Sequence, residues 1–318
     1  MKLFGLNILL LTAILIISGC NVYSPSPVTT TTLPPASSGC YIGAYVNGLS
    51  NTLSFESMIG KNLAVNSMYY SWNDNFPTSD CNTAYNYGAV PLLTWEPFLN
   101  TTNTLEAISN GDYDSYITKF AQDAKASGKL IYLRFGHEMN SDWYPWTGYG
   151  NGGSSGPAKY IAAWKHIHGI FTSVGATNVK WVWCPNHLSF PNVSWNEPAD
   201  YYPGSAYVDW IGVDGYNWGS EIWRTFDEVY SSYYSTFSSY GKPMMIAEFA
   251  SAEDGGNKAA WITDAFSKIK NNYPKFKIFI WFNVNKERDW RIESSASSLA
   301  SFKNAISDPY FLDTKPSD

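Results

Sequence analysis

Charge is scarce in this 318-residue chain: Asp, Glu, Lys and Arg make up 15% of it, 21 basic residues against 27 acidic, for a net charge of -6. No run of Lys or Arg occurs, so the clustered cations that bind a phosphate backbone are missing and nucleic acid is not an expected partner. Histidine and cysteine number only four each, and with no CxxC and no close Cys/His cluster a structural zinc pattern is absent. A Walker-type loop is lacking too. Gly148, Gly150 and Gly153 satisfy GxGxxG by letters alone, without opening a helix directly after a strand, as a dinucleotide site requires. Rings are what the chain has in excess: 17% Phe, Tyr and Trp, including 14 Trp and 23 Tyr. That content fits a large aromatic core, or a ring-lined groove for an uncharged ligand with flat apolar faces, such as a sugar.

The start of the chain reads as export machinery. Met1-Lys2 precedes an apolar run from Leu3 to Ile17, too short and wrongly flanked for a permanent span. The ending Ile17-Ser18-Gly19-Cys20 resembles a bacterial lipobox, so residues 1–19 are expected to be removed and Cys20 to carry lipid. More than one acyl chain gives stable membrane attachment. Residues 20–39, with Pro25, Pro27, Pro34, Pro35 and four consecutive threonines, bear no charge and read as a tether between the membrane and a domain spanning 40–318. The expected location is the cell surface or an extracytoplasmic membrane face. Export permits disulfides, and Cys40-Cys81 is the preferred pair because both are read outside strand interiors, whereas Cys184 ends an apolar strand and reads as a buried thiol.

Eight short apolar runs follow the tether: residues 41–46, 63–69, 89–95, 130–135, 179–184, 208–213, 244–249 and 276–282. Five helical segments lie among them, at 113–127, 157–175, 221–240, 258–271 and 296–307, with weaker helical signals after the first, second and fifth strands. Gly128 suits a left-handed helix cap, and Pro157 a first helical turn. One α/β domain with eight strands predicts a (β/α)8 TIM barrel, whose chemistry gathers at the C-terminal ends of the strands.

Two of those ends carry glutamates: Glu138 in Arg134-Phe135-Gly136-His137-Glu138, and Glu248 in Ile246-Ala247-Glu248. Carboxylates are costly to bury without partners, so two at one end of a barrel, with Arg134 and Trp143 nearby, suggest a working pair. If strand geometry persists, the two-residue period sets Arg134 and Glu138 on one face, and likewise Asp214 and Tyr216. Glycoside hydrolysis needs such a pair, one carboxyl protonated and one ionised. Trp95, Asn186 and Trp281 are further candidates at strand ends, rings for stacking on sugars and an amide for reading hydroxyls. His166 and His168 read as helix-surface or packing residues, His187 as loop packing with ligand contact as the alternative, Glu253-Asp254 as a solvated turn, and Glu287, Arg288 and Asp289 as a surface ion-pair cluster.

RFGHEMNSDWYPW (134–146), VDWIGVDGYNWG (208–219) and IAEFA (246–250), with PLLTWEPF (91–98) and WFNVNKERDWRIESS (281–295), resemble glycoside hydrolase family 26. The resemblance implies a retaining (β/α)8 enzyme, with Glu138 as acid/base, Glu248 as nucleophile, and His137, Arg134, Trp143, Asp214 and Tyr216 as supporting site residues. It implies no cofactor and a neutral β-linked polysaccharide as partner; a monomer is expected. Endo-acting cleavage of β-1,4-mannosidic links is the leading expectation. Mixed-linkage β-1,3-1,4-glucan hydrolysis and a non-catalytic carbohydrate-binding lipoprotein stay open as alternatives. For the anchor, Cys20→Ser is expected to abolish fatty-acid labelling while the folded domain is unharmed; equal label in the variant would refute the assignment.

Overall fold

The computed structural model describes residues 39–99 and 102–316, so the expected signal segment, Cys20 and all of the tether but Gly39 lie outside the described residues. The eight expected strands are present as Cys40–Tyr45 (β1), Val65–Ser71 (β2), Val90–Glu96 (β3), Ile131–Phe135 (β4), Val179–Trp183 (β5), Trp210–Asn217 (β6), Met244–Ser251 (β7) and Phe276–Phe282 (β8). Each pairs in parallel with the next, and β1 joins both β8 and β2, which closes the barrel. A two-residue strand, Phe311–Leu312 (β9), adds to the start of β1 at Cys40 and Tyr41, below the point where β1 meets β2.

Helices Thr52–Ile59 (α1), Thr78–Asn86 (α2), Thr104–Ser109 (α3), Asp114–Ser127 (α4), Gly156–Val174 (α5), Phe226–Phe237 (α6), Lys258–Asn271 (α7) and Ala296–Ile306 (α8) cover the outside. Gly128 and Gly175 end α4 and α5 in left-handed conformation, where a side chain would be strained. The sixth helix starts five residues later than its pattern suggests. Thr225 caps it, its hydroxyl accepting from Glu228 N while the Glu228 carboxylate accepts from Thr225 N. No α-helix follows β5: residues 184–209 run as a loop with 3-10 turns at Pro198–Tyr201 and Ser205–Tyr207.

Strand alternation divides the side chains into two layers. Val65, Val90, Leu92, Tyr132, Val182, Cys184, Met245, Ile278 and Ile280 fill the lumen, while the second set packs outward under the helices. The lumen is tight at β1, where a Cβ on Gly43 would come within 2.9 Å of the Phe279 carbonyl.

The expected Cys40-Cys81 bridge is not formed, and Cys40, Cys81 and Cys184 are all buried free thiols. Cys40 is the first residue of β1, near Lys277 and Tyr310, while Cys81 lies in α2 near Lys129 and Tyr70, so the two sit among different neighbours. Unfolding in the presence of an alkylating reagent, without reductant, should therefore label all three thiols; a Cys40-Cys81 peptide surviving in the mass spectrum would contradict the fold.

Candidate active site

Arg134 is the innermost charge of the barrel mouth. It projects from β4 into the lumen and is fully buried. One guanidinium nitrogen donates to both carboxylate oxygens of Asp214 on β6, at 2.7 and 2.9 Å. The second reaches Glu248 Oε1 at 2.6 Å and the Tyr69 hydroxyl at 3.1 Å, and Thr94 Oγ1 accepts from Nε and the second nitrogen at 3.0 and 2.7 Å. The planar fork is therefore satisfied on every side, which a lysine could not achieve.

Glu248 reaches this position through an irregularity in β7. Val213 pairs with Ile246, but the next residue of β6, Asp214, pairs with Glu248, so Ala247 is an extra residue. Ala247 faces the lumen in phase with Met245, and the one-residue bulge turns Glu248 inward as well. Its oxygens accept from Arg134, Tyr69 and, at 2.6 Å, Tyr216. Burial opposes ionisation of Glu248, but the Arg134 cation and the two tyrosine hydroxyls outweigh it and hold the carboxyl below its ordinary range.

Glu138 arrives by a different device. Strand β4 ends at Phe135, and Gly136 and Glu138 both take left-handed conformations with φ of 51°, so strand periodicity does not carry Arg134's face to Glu138 as expected. Gly136 N donates to the Trp95 carbonyl and Glu138 N to the Cys184 carbonyl, which fix the turn across β3 and β5. A left-handed non-glycine residue costs on the order of 1 kcal/mol or more and persists only where its surroundings enforce it. The carboxylate accepts from Asn186 Nδ2 at 2.7 Å and Trp143 Nε1 at 2.9 Å. Burial, then the charge of Glu248, push Glu138 up to about 7 despite those bonds. His137, with Nε2 3.9 Å from Glu248 Oε1, is held down to about 3 by burial and Arg134, so it stands there as a neutral imidazole.

Of the sequence candidates, Arg134, His137, Glu138, Trp143, Asn186, Asp214, Tyr216 and Glu248 converge on the C-terminal mouth. Trp95 and Trp281 do not. Both are fully buried in the outward layer, Trp95 stacked on Phe120 at 4.3 Å and Trp281 donating to the Trp290 carbonyl at 3.0 Å. The reason is phase: one residue away, Thr94, Glu96 and Phe282 take the inward positions. Tyr69, Thr94, Glu96 and Phe282 are thus site residues that motif reading passed over; the two-residue period links them to the lumen residues Val65, Leu92 and Ile280 but does not say which phase faces inward. Burial pushes Glu96 up to about 7. His166 and His168 lie on α5, away from the mouth, and Glu287 and Asp289 pair with Lys286 and Arg291.

Among the described residues, one group could supply a metal with ligand atoms: His137, Asp214 and Glu248, within 4.8 Å of one another. Both carboxylates are already held by the Arg134 cation, so a second positive charge does not fit between them.

A parallel eight-stranded barrel with two buried glutamates held in opposite protonation states at its C-terminal mouth has the equipment of a carboxylate-pair glycosidase. The chain belongs to glycosyl hydrolase family 26, whose profile matches residues 93–315. It is 44% identical over 282 residues to endoglucanase H of Acetivibrio thermocellus, covering 85% of this chain and 30% of that protein. With a mannan endo-1,4-beta-mannosidase of Bacillus subtilis it shares 29% over 215 residues, 60% of this chain and 54% of the other. The chain thus spans from under a third to about half of these two relatives. The fold matches that of a Cellulomonas fimi endo-beta-1,4-mannanase with a TM-score of 0.67 at 18% identity, over 86% of this chain and 72% of that one.

Because the charge of Glu248 helps to raise Glu138, Glu248→Gln should bring the Glu138 carboxyl down toward the ordinary glutamate range. Carboxyl-carbon NMR titration of both forms measures this; a Glu138 value unmoved by the substitution would break the electrostatic link.

Proposed function

We propose that the chain is a retaining, endo-acting glycoside hydrolase of neutral β-linked polysaccharide, with β-1,4-mannan chains as the first substrate class. The observation that carries this reading is the division between the two glutamates: Glu248 is held ionised by three donors, Arg134, Tyr69 and Tyr216, while Glu138 keeps a proton to about pH 7. Glu248 attacks the anomeric carbon as Glu138 gives its proton to the departing oxygen, and the glycosidic C–O bond breaks. Glu138, now a carboxylate, takes a proton from water, which displaces Glu248 and restores the original configuration. Arg134 and Tyr216 orient Glu248 and keep it from capturing the proton. Three relatives named as mannan endo-1,4-beta-mannosidases support the mannan reading.

A second reading, cleavage of mixed-linkage β-glucan, is favoured by one observation: the 44% identical relative is named an endoglucanase. Mannose and glucose differ only at the 2-hydroxyl, where the polar groups of the mouth must discriminate. We also take the enzyme to act as a monomer, since one barrel supplies both glutamates together with the donors that hold them. Attachment to an extracytoplasmic membrane face through lipid on Cys20 rests on the Ile17-Ser18-Gly19-Cys20 sequence.

Purified protein should release products from galactomannan and glucomannan with higher efficiency than from barley β-glucan; the reverse order would establish the second reading. Hydrolysis should fall as pH rises through about 7, where Glu138 loses the proton it must donate. On a substrate with an activated leaving group, Glu138→Ala should retain the first step and, with azide, yield a β-glycosyl azide. Glu248→Ala should form no covalent intermediate; the opposite pattern would exchange the two roles.

A further inference from the structure

The long loop after β5 takes the place of a helix, and it leaves Phe190 40% exposed. Phe190 is not a stray surface ring. Its centroid lies 5.3 Å from that of Trp143, itself 47% exposed, with the ring planes 51° apart, so the two form an open corner. Trp143 is the residue that donates to Glu138.

The loop that carries Phe190 is fastened at close intervals to the turn that carries Glu138. Asn140, fully buried, accepts at its side chain from Asn186 N at 2.9 Å and donates to the carbonyls of Asn186 and Leu188 at 3.0 and 3.2 Å. Its own carbonyl accepts from Phe190 N and from Asn196 Nδ2, both at 2.9 Å. Asn196, also fully buried, is held in turn by the Tyr201 hydroxyl. The anchoring fixes the loop at Phe190 N, so the ring stands in a set place beside Trp143 while 40% of its surface stays open.

The chemistry assigns the side of the cleft. A general acid gives its proton to the oxygen that leaves, so the departing sugar lies on the side of Glu138 remote from Glu248. Glu248 is surrounded by Arg134, Tyr69 and Tyr216, and Glu138 by Trp143 and Asn186. The Trp143-Phe190 corner therefore belongs to the leaving half of the substrate. We infer that Phe190 is a specificity-determining residue that, with Trp143, holds the sugar units released on the Glu138 side of the scissile bond. The inference rests on the hydrolase reading above and adds to it the residue that selects the leaving group. Stacking of a pyranose face on these rings contributes to catalysis only when the leaving group is a sugar, since a ring that never meets the departing atom cannot stabilise its departure.

The test compares two leaving groups on the same glycone: a labelled oligosaccharide, and the matching glycosyl fluoride, whose leaving atom cannot reach Phe190. Mannobiosyl and cellobiosyl fluorides cover both glycan classes. In Phe190→Ala, the ratio of kcat/KM for oligosaccharide to that for fluoride should drop roughly tenfold, the effect of losing about one good ring contact. Phe190→Tyr, which restores the ring, should recover most of that ratio. An unchanged ratio in Phe190→Ala, whether because neither rate moves or because both fall together, would overturn the inference while leaving the hydrolase reading intact. Failure of the unsubstituted protein to cleave either fluoride or either glycan would overturn the reading itself and the inference with it.

Discussion

A guanidinium buried in the lumen of the barrel, bonded at once to two carboxylates, is the constraint on which the rest of the mouth depends. Placing Arg134 there is costly unless its charge is compensated, and Asp214 and Glu248 compensate it. Removing one member of such a buried set typically costs about 3 to 5 kcal/mol, because the others are left uncompensated. The arrangement also sets the protonation of the site. Arg134 makes Glu248 an anion, and that anion, added to burial, keeps Glu138 an acid. A single cation thus separates two chemically identical side chains into different roles.

Two backbone irregularities make this convergence possible. Regular alternation along β7 would bring either Ala247 or Glu248 into the lumen but not both, and the extra residue at Ala247 re-aims the carboxylate while Met244 to Ile246 stay in register with β6. The left-handed turn at Gly136 and Glu138 lifts the second glutamate away from Arg134's grip and toward the donors of Trp143 and Asn186. Had β4 continued as a strand, both glutamates would compete for the same cation. The long loop after β5 serves the same end, because it gives up helix packing to bring Asn186 under Glu138.

Rings occupy both layers, and layer decides what a ring can do. Trp95 and Trp281 stabilise the shell between strands and helices, where each indole N–H finds a partner, Tyr116 for one and the Trp290 carbonyl for the other. Tyr69 and Tyr216, one face over, spend their hydroxyls on Glu248. The aromatic excess in the composition is therefore mostly core, with a smaller set exposed at the mouth.

The sequence by itself determined the parts that depend on local pattern. Eight apolar runs of strand length and intervening helical segments, one capped by Gly128, dictate the barrel, and the segments around Glu138 and Glu248 dictate the family. It also placed both glutamates, Arg134, Asp214 and Tyr216 at one end, because parallel strands share their direction. Only the tertiary structure decided which layer each residue enters, which rejected Trp95 and Trp281 and brought in Thr94, Glu96 and Phe282. It left Cys40 and Cys81 apart, since pairing requires two side chains to meet and spacing along the chain does not say whether they do. Above all, it supplied the physical cause of the division that the family resemblance implies, a proton kept on Glu138 and a charge on Glu248. That cause lies in burial and in charges on other strands, and no local pattern contains it.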